Sequence, residues 1–112
     1  ETMLSTLFTV TIVYEIIKFI VLFIAFCSDS SDVNGTGLLY EFAISALVIV
    51  FAALSISFGG TFAFVLGIIF AVLCGLAMIA HFIGAARGAV MNGFWSIYNL
   101  VMMILFIVAL TL

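Results

Sequence analysis

The chain contains no proline, one histidine, one tryptophan, two cysteines and only two cations, Lys18 and Arg87. Each shortage excludes something. Without proline, no residue forces a helix to kink by losing its backbone donor. One histidine and two scattered cysteines form no cluster of metal ligands, so no metal site is expected. Two cations make no basic patch, which argues against nucleic acid and against electrostatic binding of anionic headgroups. Charged residues are 6% of the 112-residue chain, too few to clothe a water-soluble domain.

What remains is apolar. Hydrophobic residues make up 69% of the chain and mean hydropathy is +1.62. A membrane-spanning helix needs about 20 such residues in a row. Four stretches qualify: 4–26, 38–58, 61–83 and 94–112. They are apolar all round rather than alternating, which excludes the strands of an outer-membrane barrel. Helices satisfy their own backbone in lipid, where no water can do so. The expected fold is therefore all-α, an integral membrane four-helix bundle forming one domain over residues 1–112. The first span is too long for a signal peptide and has no cleavage-site pattern. The chain starts at Glu1 and stops inside an apolar run at Thr111-Leu112, as expected of a core whose polar tails lie beyond it.

Four spans put both termini on one side with the Gly59-Gly60 turn. That dipeptide is short enough to make the second and third helices antiparallel neighbours. On the other side lie an acidic loop, Cys27–Gly37, and a second connection, Gly84–Gly93, in which Asn92-Gly93 turns the chain back into the membrane. Asn34-Gly35-Thr36 is an N-glycosylation acceptor pattern. If used, it places the acidic loop outside and the termini in the cytoplasm. Arg87 sits in an outer connection and opposes that orientation under the positive-inside rule. Tyr40, Trp95 and Tyr98 near the span ends, with Arg87, suit the membrane interface as anchors. Cys27 and Cys74 lie at depths differing by about 14 Å, beyond the reach of a disulfide, so both are expected as free thiols.

Small residues recur every fourth position in the third span: Ala63, Gly67, Ala71 and Gly75. This spacing lines them on one face and predicts a close helix–helix seam, as small residues allow in lipid. Ala80, Gly84 and Gly88 extend the series. The second helix, expected alongside, is the nearest available partner.

Glu15 and Lys18 are the unusual residues. They lie three apart in the middle of the first span, on one helical face, where burial of charge is costly. One reading is a proton or ion site of a small transporter. The simpler one is a self-neutralised pair facing the bundle, helped by Tyr14 or Ser45. His81 near the end of the third span is read as a helix-end histidine close to Arg87 and the headgroups. Arg87 is a lipid-headgroup anchor or a clamp for phosphate or carboxylate. With no nucleophile–base set, no phosphate loop and no carboxylate pair, an enzyme is not expected, and no cofactor is called for.

The first span and its exit, YEIIKFIVLFIAFCSDSS, resemble the opening helix of MARVEL-domain proteins. LLYEFAISALVIVFAALSI is similar to that family's second helix, and FAFVLGIIFAVLCGLAMIAHFIGAARG to its third, rich in alanine and glycine. The order of four spans with a short turn after the second also fits. The resemblance implies a protein of the plasma membrane or vesicles, rather than an organellar inner membrane. It further implies work in membrane apposition, junctions, vesicle traffic or support of other membrane proteins, and brings no catalytic residues. The expected partners are membrane lipids and other transmembrane proteins or further copies of the chain, and no nucleic acid. Two alternatives stand beside it: a small transporter or channel-forming subunit using Glu15 and Lys18, and a supernumerary subunit of a respiratory or photosynthetic complex.

Overall fold

The computed structural model describes residues 2–28, 35–88 and 91–112. Asn34 of the acceptor pattern lies outside them. Four helices account for nearly all of this chain: α1 (Thr2–Cys27), α2 (Gly35–Phe58), α3 (Gly60–Ala86) and α4 (Met91–Thr111). There is no strand among the described residues. All four helices are long and apolar enough to cross a membrane, so by length and composition this is an integral membrane four-helix bundle.

The helices overrun the apolar stretches at their ends. α2 begins at Gly35 instead of Leu38, and α3 continues to Ala86 instead of Ile83. Polar or small residues at a membrane edge do not end a helix unless the backbone must turn there, and no proline forces it. The reversal expected at Asn92-Gly93 is a further correction: both residues belong to the first turn of α4. Asn92 is held there by contacts to α3. The chain leaves α3 at Arg87, whose N–H still bonds Ile83 and Gly84, and Gly88 follows with φ 105°. That left-handed residue is the usual glycine exit from a helix. Between α2 and α3, Gly59 (φ 59°, ψ −157°) and Gly60 (φ 55°) both take conformations that side chains disfavour.

The bundle is built from two hairpins. α1 packs most closely on α2 and α3 on α4, while contacts between the two pairs are sparser. The glycine turn does make α2 and α3 consecutive, yet they are not the closest neighbours. The small-residue seam is therefore directed elsewhere than expected. A Cβ on Gly67 would lie 2.9 Å from Leu110 Cδ2 and 3.2 Å from Leu4 Cδ1, and one on Gly75 would lie 3.1 Å from Met103 Sδ. The seam serves α4, with α1 closing over it at Leu4, rather than α2.

These contacts also set topology, since the start of α1, the start of α3 and the end of α4 meet at one end of the bundle. The buried apolar core lies in that half. Phe8, Phe70 and Phe106 form its centre, with ring centroids 5.2, 5.4 and 5.9 Å apart. Leu4, Leu7, Ala63, Leu66 and Met102 surround them. Most other large apolar side chains face outward on all four helices. Such a surface would aggregate in water and is the expected one in lipid. Hydroxyls within the helices largely bond back to their own backbone: Thr9 to Ser5, Thr11 to Leu7 and Ser55 to Phe51.

Candidate functional site: a polar cavity between two helical hairpins

The other half of the bundle holds the polar chemistry. Lys18 Nζ lies 3.2 Å from Glu15 Oε1 on its own helix and 3.5 Å from Glu41 Oε1 on α2. Ser45 Oγ of α2 donates to the same Glu15 oxygen at 2.8 Å. The pair expected from helical spacing is thus a three-charge group tied across α1 and α2. Glu15 and Lys18 are nearly enclosed, whereas the Glu41 side chain is 37% exposed. Antiparallel packing explains the grouping: Glu15 faces Ser45, Lys18 faces Glu41 and Phe19 meets Phe42 in one register.

On the opposite hairpin, Tyr98 is stacked on Tyr14 with ring centroids 3.5 Å apart and planes 6° from parallel. Trp95 meets Tyr14 edge-on at 5.9 Å. The expectation that Tyr98 anchors the membrane interface is therefore corrected: its ring joins α4 to α1 inside the bundle. Trp95 is half-buried in the same aromatic group, while Tyr40 and Arg87 are exposed near helix ends. His81 Nδ1 pairs with Asn92 Oδ1 at 2.8 Å, and Ser96 Oγ donates to the Met78 carbonyl at 2.9 Å. Both bonds fasten α4 to α3. His81 thus faces a neighbouring helix rather than the headgroups.

Some of these side chains line a cavity of about 260 Å³. Thr11, Tyr14, Glu15 and Lys18 of α1 form one wall, with Ile44 and Val48 of α2 beside them. Cys74 and His81 of α3, with Tyr98 and Asn99 of α4, face them. Phe70 and Met102, members of the apolar core, line it where it meets the other half of the bundle. A second cavity of about 360 Å³ lies between α1 and α2, where Glu15 and Ser45 are the polar members of an otherwise apolar lining. Glu15 belongs to both. The hydroxyls of Tyr14 and Tyr98 are buried and have no hydrogen-bond partner among the described residues.

Comparison of the chain with protein-family models, with curated proteins and with solved structures gives no match. The reading of the cavity therefore rests on its own residues.

Among the described residues no three His, Cys, Asp or Glu side chains converge on a metal position. Cys27 and Cys74 are both free, the first exposed and the second half-buried. Sequence reasoning overlooked Glu41, Ser96 and Asn92, whose contacts tie the helices together around the cavity. The signal for Glu41 was present: it is a carboxylate six residues into α2, and antiparallel packing sets it opposite Lys18 of α1.

Proposed function

We propose that the chain is a non-enzymatic membrane protein that works by contact within the bilayer, organising lipids or supporting the spans of another membrane protein. The observation that carries this reading is the direction of its side chains. Large apolar groups such as Ile17, Ile24, Leu47, Val72 and Leu76 are exposed on three different helices, while Glu15, Lys18 and Glu41 are grouped with one another between α1 and α2. The connections between helices are short, so recognition falls to helix faces. The resemblance of the first three helices to MARVEL-domain proteins supports a place in the plasma membrane or vesicles. A photo-crosslinker at Leu47 or Leu76 tests the reading in native membranes. A discrete protein adduct at either position is expected of a supported partner, and lipid adducts alone from both faces refute the partner and leave the organising of lipids.

The cavity favours a second reading, a small transporter or channel-forming subunit. A chamber with polar side chains beside a charged residue within a membrane-length helix is what intramembrane ion sites use. Flux of protons or ions in reconstituted vesicles that Glu15→Gln abolishes supports it. Vesicles no leakier than protein-free controls exclude it.

A further inference from the structure

The two cavities differ in what lines them. The one between α1 and α2 is apolar except for Glu15 and Ser45, and these two bond each other. The one between the hairpins draws polar groups from three helices: Thr11, Glu15 and Lys18 of α1, His81 of α3 and Asn99 of α4. These groups offer both hydrogen-bonding roles. Lys18 sets ammonium donors beside the Glu15 carboxylate, so the lining carries one charge of each sign. Thr11 gives its proton to the Leu7 carbonyl, leaving lone pairs on its oxygen. Asn99 gives one amide N–H to the Trp95 carbonyl, leaving a second N–H and an oxygen. His81 bonds Asn92 through Nδ1, and its Nε2 either donates or accepts according to the tautomer.

We propose that the cavity between the hairpins is a binding site for a cluster of water molecules, which solvates the Glu15–Lys18 pair inside the bundle. Water both donates and accepts, so one ligand answers every polar group in the lining. A molecule of it takes about 30 Å³ in the liquid and needs about two to four polar partners, whereas a purely apolar cavity stays dry even when roomy. The volume of about 260 Å³ therefore holds several molecules, anchored on the polar wall and bonded to one another beside Phe70 and Met102. Lipid chains in the same space would leave the remaining hydrogen-bonding groups of two ions unmet, which costs more than for neutral groups. A metal cation suits the lining less well, because it needs a compact cage of oxygens and the Lys18 ammonium repels it. The packing agrees, since contacts between the hairpins are sparser than those within them. The Tyr14 and Tyr98 hydroxyls are enclosed by protein, and the cluster does not need them.

The site rests on neither reading of function, since a solvated ion pair serves a contact protein and a transporter alike. X-ray radiolysis of the full chain in lipid nanodiscs tests it, because hydroxyl radicals split from bound water oxidise the side chains beside them. Met102 and Met103, adjacent on α4, form the internal comparison. Met102 lines the cavity and is 3% exposed. Met103 is more exposed, lies outside that lining and faces Gly75. Mass spectrometry is expected to find Met102 oxidised several-fold faster than Met103, the reverse of their order of exposure. Ala77→Leu puts apolar volume into the lining and is expected to bring Met102 down to the rate of Met103. Val72→Leu, on the exposed face of the same helix, leaves the ratio unchanged. Oxidation of Met102 no faster than Met103 in folded protein overturns the proposal. So does a Met102 rate untouched in folded Ala77→Leu. The wild-type comparison needs no substitution, so it decides the matter where that variant does not fold.

Discussion

Replacing Lys18 by methionine removes the one cation from a group of three charges and leaves two carboxylates facing each other. At an effective dielectric of about 20, unit charges at 3.2 and 3.5 Å attract by about 5 kcal/mol each before desolvation is counted. Desolvation offsets much of this, so the measured cost of breaking such a buried pair is about 3–5 kcal/mol. Most of that belongs to Glu15, whose side chain is 10% exposed. Glu41 is 37% exposed, and water screens its share to about 1 kcal/mol or less. Lys18→Met should therefore lower stability by about 3 kcal/mol or more. Glu41→Gln should cost under about 1 kcal/mol. The decisive variant is the double replacement Lys18→Met with Glu15→Gln. Once the unpaired carboxylate is neutral, about 2 kcal/mol should return, a coupling expected only of groups in contact. Reversible unfolding in mixed micelles, followed by circular dichroism as SDS is raised, measures the wild type, Lys18→Met, Glu15→Gln, their double and Glu41→Gln. Additive losses in the double variant, or a loss under about 1 kcal/mol for Lys18→Met, would refute the buried ion group.

Gly67→Leu should destabilise strongly, by about 3 kcal/mol, because even a Cβ there lies 2.9 Å from Leu110. Gly67→Ala should cost much less, since the ends of Leu110 and Leu4 can move aside, and the same unfolding assay separates the two. Tyr98→Phe should be neutral or stabilising by up to about 1 kcal/mol, because it removes a buried hydroxyl that has no partner among the described residues. A clear loss of stability would show that the hydroxyl is bonded. A charged maleimide should label exposed Cys27 rapidly and half-buried Cys74 at least about tenfold more slowly. Equal rates, read by mass spectrometry, would show that the cavity opens freely to water.

The four helices were legible in the residues because lipid imposes a strict condition. A run of about 20 apolar residues has no other low-energy form in a bilayer. The same is true of the Glu15–Lys18 pair, which helical spacing alone brings onto one face. The reversal at Asn92-Gly93 and the interface role of Tyr98 were misread for a common reason. Local composition describes what a residue tolerates, while a neighbouring helix determines what it touches. Asn92 stays helical because it meets His81 and Gly84, and Tyr98 turns inward because Tyr14 lies opposite.

Hydropathy, the absence of proline and the glycine pair after Phe58 therefore determined by themselves that this chain forms four membrane-length helices with a tight central turn. Only the tertiary structure decided which helices pair. That choice joined Glu41 and Ser45 to the ion group, turned the small-residue seam toward α4, and opened the polar cavity between two hairpins. The physical reason is that helix formation is settled within each segment by backbone hydrogen bonds. Pairing depends on the fit of side chains far apart in the chain, which an all-round apolar helix does not advertise.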